Sequence, residues 1–158
     1  MEERLGKIVM FKKEIKILPL YDNIKMPEVA YNGESAAIDF YSAGEYRILP
    51  GEVKIIDFGI KIIIPKGYFL MLYNKSSMEY NNRLTILGGV IDRGYTGRLD
   101  CRLRNTGDKI ISLERKQKVC QGFLLPSYYY KIDKCSKEEF AKYENESRRK
   151  DNGFGSTN

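Results

Sequence analysis

An all-β domain, a barrel or a double-sheet roll, is the fold class that the sequence predicts, and three observations predict it. Residues 53–64, VKIIDFGIKIII, alternate with period two and place Ile56, Phe58, Ile60, Ile62 and Ile64 on one face. Shorter runs of β character recur along the chain at the spacing of barrels and double-sheet rolls. Between them stand turn sequences: LPGE at 49–52, PKGY at 65–68 and NTGD at 105–108.

Taken in order, the predicted strands are 14–18, 36–42, 53–64, 68–73, 84–91, 98–104, 109–113 and 118–131. A single segment, SKEEFAKYENESRR at 136–149, reads as a helix, with Ser136 as its N-cap and Glu138 and Glu139 in the first turn. The closing KDNGFGSTN is glycine-rich and polar and cannot build a core. The expected organisation is an N-terminal extension at 1–9, a β domain at 10–147 and a flexible C-terminal arm at 148–158. There are no internal repeats.

Composition narrows the function. With 158 residues, 42% hydrophobic and 30% charged, the chain is expected to form one globular domain. No apolar run approaches the ~20 residues of a membrane span. The N-terminus MEERLGKIVMFKK is charged from its second residue and shows no secretory h-region, so a cytoplasmic location is expected. Three cysteines without a CxxC pair, together with no histidine, argue against a zinc site or a disulfide framework. They also exclude Ser-His-Asp and Cys-His catalysis, so carboxylates or a metal must move any proton. The net charge of +6 is interleaved with acids until the last dozen residues. It suits a polyanionic small molecule such as a nucleotide. No aromatic-basic platform suggests nucleic acid.

Four internal segments and the tail carry chemistry. In GGVIDRGYTGRLDCRLRN, 88–105, an apolar run meets Asp92, glycines 94 and 97 flank Tyr95, and the chain leaves as a strand. That reads as a β-hairpin with an acid and a ring near its tip. Singly, Asp92 is a turn aspartate, Tyr95 a rim aromatic, and Gly88, Gly89, Gly94 and Gly97 turn formers. Together they let the backbone approach a flat ligand and read its edge, while the acid can orient and deprotonate a water. In YNKSSMEY, 73–80, Lys75, Ser76 and Ser77 open an irregular segment, either a polar loop or a phosphate contact. In KVCQGFLLP, 118–126, Gln121 interrupts an apolar run, and a buried amide needs a structural or ligand partner. Asp39, within SAAIDFYS, lies between Ile38 and Phe40, where alternation permits an acid that simply faces solvent. The ending RRKDNGFGSTN is by default a basic tail and is not a Walker A loop.

Five segments in this order, SAAIDFYS (35–42), NKSSM (74–78), GGVIDRGYTG (88–97), RKQKVCQ (115–121) and RRKDNGFGSTN (148–158), resemble the trimeric dUTPase family over roughly residues 14–158. The resemblance implies a jelly-roll-like enzyme that hydrolyses dUTP to dUMP and pyrophosphate, limiting uracil in DNA and supplying dUMP for thymidylate synthesis. It implies a hairpin that receives uracil, with Gly89, Ile91 and Leu99 against the nucleoside and Tyr95 under the deoxyribose, rejecting a 2′-hydroxyl. Asp92 would activate water for in-line attack on the α-phosphorus. Lys75, Ser76, Ser77 and Gln121 would contact phosphates. Asp39 would hold a water of a Mg2+ ion coordinated mainly by the substrate. In the tail, Arg149, Gly155, Ser156 and Thr157 would hold the γ-phosphate while Phe154 lies over the uracil. The family implies a homotrimer with sites at subunit interfaces, completed by a neighbour's tail.

Several positions depart from the family pattern. Ala37, Lys116, Lys150, Asn152 and Asn158 stand where glycine is usual, and Lys75 stands where arginine is usual. Lysine keeps the charge and loses the bidentate geometry, and the altered tail is expected to be stiffer. The related dCTP deaminases place a catalytic glutamate ten residues after the position of Asp92, where this chain has Arg102. A reading from another class is a nucleotide-sensing protein with a regulatory protein partner, docked through residues 1–9 or the basic helix-to-tail region.

Overall fold

The computed structural model describes residues 13–150. The expected N-terminal extension and the tail residues Asn152, Phe154, Gly155, Ser156, Thr157 and Asn158 therefore lie outside the described residues. The elements in order are β1 (Lys16–Pro19), β2 (Glu28–Val29), a 3-10 turn (Tyr31–Gly33), β3 (Ile38–Tyr41), β4 (Tyr46–Ile48), β5 (Val53–Ile63) and β6 (Tyr68–Tyr73). They continue as α1 (Ser76–Asn82), β7 (Leu84–Leu87), β8 (Val90–Ile91), β9 (Leu99–Asn105), β10 (Ile111–Leu113), β11 (Lys118–Pro126) and α2 (Lys137–Glu146). The chain divides after Ser127 into a strand-bearing unit and a second unit that carries α2.

The first unit is all-β, as the alternation predicts, and jelly-roll-like, as the family resemblance implies. A four-stranded sheet in the order β1-β5-β9-β7 accompanies a five-stranded sheet β2-β3-β11-β6-β8, with β4 and β10 as a separate pair. The apolar face of β5 is the face the sequence marks: Ile56, Phe58, Ile60, Ile62 and Ile64 are each 5% exposed or less. They join Phe40, Leu70, Leu72, Leu99, Leu103 and Val119 in one core. Phe40 from β3 and Phe58 from β5 meet with ring centroids 5.2 Å apart. Period-two burial over eleven residues is what fixes the register of β5, since a one-residue slip would turn its isoleucines to water. The turns also follow the sequence. Glu52 N–H donates to the Leu49 carbonyl at 3.0 Å with Gly51 at φ 77°, and Tyr68 N–H to that of Pro65 at 3.3 Å with Gly67 at φ 82°.

Three expectations are corrected. The predicted strand 84–91 is two strands in different sheets, because Gly88 (φ 75°) and Gly89 (φ 116°) break it. β7 pairs with β9, while β8 crosses to pair with β6. The segment after Lys75 is not irregular but the short helix α1, whose end the left-handed Arg83 sets. The predicted strand 118–131 stops at Pro126, where its pairing with β6 runs out. β2 and β4 were not anticipated, since two and three residues are too few to show a period. All three cysteines are free, Cys101 and Cys120 buried and Cys135 exposed.

The second unit holds one capped helix. Ser136 Oγ accepts the Glu139 N–H at 3.1 Å, the predicted N-cap, and α2 buries none of its residues.

Lys116 adopts the left-handed conformation at φ 65°. The Gln117 N–H donates to the Glu114 carbonyl at 3.2 Å and closes the turn. Lys116→Gly is expected to raise stability by up to ~1 kcal/mol, because the Cβ penalty of that region is removed. A Cβ at Gly89 would stand 2.5 Å from the Leu72 carbonyl oxygen, whereas one at Gly94 would meet nothing within 4 Å. Gly89→Ala is expected to cost about 2–4 kcal/mol and Gly94→Ala within about 0.5 kcal/mol. Urea unfolding of the three variants checks all three signs.

Candidate active site

A cavity of about 440 Å³ opens beside β3 and β11, with Asp39, Lys75, Lys118 and Gln121 among its lining residues. Strand pairing brings them together, since Gln121 lies opposite Asp39 on one side and Tyr73 on the other. Asp39 does not take the solvent-facing position that alternation permits. It is 5% exposed, and its two oxygens are held by Lys75 Nζ at 3.0 Å and Lys118 Nζ at 2.7 Å. Burial by itself pushes the Asp39 carboxyl up, but the hydrogen bonds from Lys118 and Lys75 outweigh it and hold the group below its ordinary value. The Asp39 carboxylate in turn raises Lys118. Two cations on one acid leave the cavity with surplus positive charge, which suits a phosphate chain.

Lys118 was missed by sequence reasoning, and a bulge explains why. The pairing of β11 with β3 shifts register between Lys118 and Cys120. Strict alternation would put Lys118 and Gln121 on opposite faces, and the bulge turns both into one cavity. The Gln121 amide has a structural partner: Nε2 donates to the Asn74 carbonyl at 2.8 Å. Asn74 was also missed. Its Oδ1 accepts the Ile86 N–H at 2.6 Å, so one residue ties the loop before α1 to both β7 and β11. Its place at the head of NKSSM was the available signal. Ser76 and Ser77 lie exposed in the first turn of α1, just after Lys75.

The β8–β9 connection forms a second, smaller pocket of about 150 Å³, lined by Ile91, Asp92, Tyr95, Arg98, Leu99 and Asp100 among others. The turn closes through the Tyr95 N–H, which donates to the Asp92 carbonyl at 3.0 Å. The Tyr95 hydroxyl donates to the Arg98 carbonyl at 2.8 Å. Its ring takes the space over Gly97, where a Cβ would fall on the hydroxyl. Gly89 lines a neighbouring cavity of about 330 Å³ with Gly88, Ile91 and Arg102, so Ile91 belongs to both. Among the described residues the Asp92 carboxylate makes no ion pair, and it is exposed. Arg102, at the position of the deaminase glutamate, is an exposed cation. Arg149 is exposed in the second unit. The remaining predicted contacts, Phe154, Gly155, Ser156 and Thr157, are outside the described residues.

Comparison with known proteins follows this geometry. The dUTPase family profile matches residues 22–158. The deoxyuridine 5′-triphosphate nucleotidohydrolase of Alkaliphilus metalliredigens is 34% identical over 145 residues, covering 90% of this chain and 96% of that protein. That of Clostridium tetani is 33% identical over 150 residues, covering 94% and 99%. Among solved structures, the Staphylococcus bacteriophage 80alpha dUTPase with dUPNHPP superposes with a TM-score of 0.82 at 22% identity, covering 93% of this chain and 99% of that one. The profile spans most of the chain and the two bacterial relatives span nearly all of it, so the chain belongs to the dUTPase family.

Proposed function

We propose that this chain hydrolyses dUTP to dUMP and pyrophosphate, with Asp92 as the base that activates the attacking water. The observation that carries the reading is the contrast between two carboxylates. Asp39 is buried and committed to two lysines, whereas Asp92 stands unpaired among the described residues, in a pocket with the Tyr95 ring. An acid free of cations can take a proton from water, and one locked between cations cannot. In the proposed step the water oxygen bonds to the α-phosphorus, the bond to the bridging oxygen breaks, and the pyrophosphate leaves. The water proton goes to Asp92.

The remaining residues position the substrate. Lys75, with Ser76 and Ser77 beside it, meets the phosphates as they displace its contact with Asp39. Gln121, fixed through Asn74, lines the same cavity. Gly89, Ile91 and Leu99 give the uracil a backbone edge and apolar walls, and Tyr95 sits under the deoxyribose. The arm residues Arg149, Phe154, Gly155, Ser156 and Thr157 close over the γ-phosphate and the base.

The donor set fits Mg2+ in one form only. Among the described residues no group of three or more acids or cysteines could hold a metal. Among the described residues Asp39 is the single carboxylate that lines the cavity, so the phosphates would supply the inner ligands and Asp39 one water-mediated contact. When bound, the ion supplies charge neutralisation on the phosphates. A phage phi11 dUTPase has been solved with a coordinated structural Mg(II) ion.

A homotrimer belongs to the proposal. The outer face of the four-stranded sheet exposes Leu18, Val53, Ile55 and Ile63, a surface that a neighbouring copy can cover. The role of the reaction is to limit uracil in DNA and to supply dUMP for thymidylate synthesis.

Asp92→Asn is expected to lower kcat by about 10²–10⁴-fold while the Kd for a non-hydrolysable dUTP analogue changes little. Turnover close to the parent's would remove Asp92 from the base role. Pyrophosphate release, measured in parallel on dUTP, dCTP, dTTP and UTP, is expected from dUTP alone and is expected to stop with a chelator. Equal release from UTP would overturn the assignment of the sugar contact to Tyr95.

A further inference from the structure

Arg98 belongs to the hairpin pocket but has no part in the proposed reaction. Arg98 lines the pocket beside Asp92 and Tyr95, and its backbone carbonyl accepts the Tyr95 hydroxyl at 2.8 Å. Its guanidinium leaves the hairpin altogether. Nη1 lies 3.1 Å from Asp57 Oδ2 on β5, and the group rests 5.6 Å from the centroid of the Tyr21 ring.

Asp57 is a fixed anchor. Its Oδ1 accepts the Gly59 N–H at 2.7 Å, within the bulge where β5 shifts register against β9. Gly59 is held at φ 70°, and a Cβ there would stand 2.9 Å from both Ile24 and Tyr21, so the bulge has no room to change. The same pairing sets Asp57 directly opposite Asp100, a like-charge pair that destabilises the strands unless a cation sits nearby. Arg98 is that cation. Half-exposed, it contributes little to folding as an ion pair. Its effect is geometric: the bulge holds Asp57, Asp57 holds Arg98, and the Arg98 carbonyl holds the hydroxyl of Tyr95.

We propose that Arg98 is a positioning residue for sugar selection. Paired with Asp57, it keeps the Tyr95 ring where a 2′-hydroxyl would collide with it. The inference rests on the reading of Tyr95 as the deoxyribose contact. It concerns residues far apart in sequence, 57 and 98, joined only by the fold. Misplacement of about one ångström in such a contact costs up to roughly a hundredfold in rate, so a loosened ring changes discrimination before it changes stability.

The test is the ratio of kcat/KM for dUTP to that for UTP, measured on the full chain. Arg98→Met is expected to lower the ratio about tenfold, and Asp57→Asn, which keeps an acceptor for Gly59, by a similar factor. The double variant is expected to fall no further than either single one, because both break the same link. Arg98→Lys keeps the charge toward Asp57 and is expected to restore most of the ratio. A purely structural role would lower both substrates together and leave the ratio unmoved. An unchanged ratio in Arg98→Met, with a collapsed ratio in Tyr95→Ala, overturns the inference and leaves the Tyr95 reading standing. An unchanged ratio in Tyr95→Ala overturns both.

Discussion

The site depends on one close approach of backbone to backbone. Gly89 accepts the Leu72 N–H on its carbonyl at 2.7 Å, and any Cβ at Gly89 would strike the Leu72 carbonyl oxygen. At this point the chain leaves the four-stranded sheet and enters the five-stranded one, β7 behind it and β8 ahead. Two glycines with positive φ make that change of sheet in the space of two residues. Val90 and Ile91 are then pinned to Met71 and Leu70 of β6, and Asp92 follows at the end of that short pairing. The carboxylate is thereby delivered by a strand rather than by a free loop. Substituting either glycine would disturb the sheets and the pocket together.

Environment separates the two aspartates of the site. Asp39 is enclosed and would be costly as a lone charge, and Lys75 and Lys118 convert that cost into a held geometry. Its value in the folded chain is depressed. The ionised pair therefore contributes stability above the unfolded value, and that contribution is lost as pH falls through the folded one. The network extends outward. Lys118 and Lys25 both lie over the Tyr41 ring, and the Tyr41 hydroxyl donates to Glu28. Burial, with that carboxylate second, pushes the Tyr41 hydroxyl up to about 12, so it remains a donor throughout the working range. Such a network keeps the cavity's lysines ordered without a ligand, and charge is in place when a polyanion arrives.

Much of this was legible in the sequence, for reasons that differ by element. β5 showed itself because eleven residues with one buried face leave a strong period. The turns at Gly51 and Gly67 followed from local chemistry alone. The five motifs located Asp39, Lys75, Asp92, Tyr95 and Gln121 within the elements that now line cavities. What escaped was either short, as β2, β4 and α1 are, or non-local. No period reveals that the 84–91 run divides between two sheets, because both halves are apolar. The bulge that turns Lys118 toward Asp39 depends on the register of β3, 80 positions away, and so does the burial of Asp39. Arg98 and Asp57 meet across a separation of 41 residues.

Two lysines hold the left-handed backbone that glycine adopts most readily. Lys116 holds φ at 65° and Lys150 at 49°, the region a glycine would visit without strain. Around Lys116 the conformation is over-determined. Its N–H donates to the Ser42 carbonyl at 2.8 Å, the Ser42 N–H donates to the Gln117 carbonyl at 2.9 Å, and the Glu114 N–H donates to Gln117 Oε1 at 2.8 Å. Arg115 adds a bond to the Ala43 carbonyl. Four bonds impose the left-handed turn on a lysine, and the reward is that β11 starts in the register that carries Lys118 and Gln121 into the cavity. At Lys150 a bond from its N–H to Ser147 Oγ at 3.2 Å accompanies the same conformation. At both lysines the left-handed turn is accompanied by local hydrogen bonds that the lysine side chain does not make, so glycine at either position is expected to relax the backbone without removing a bond.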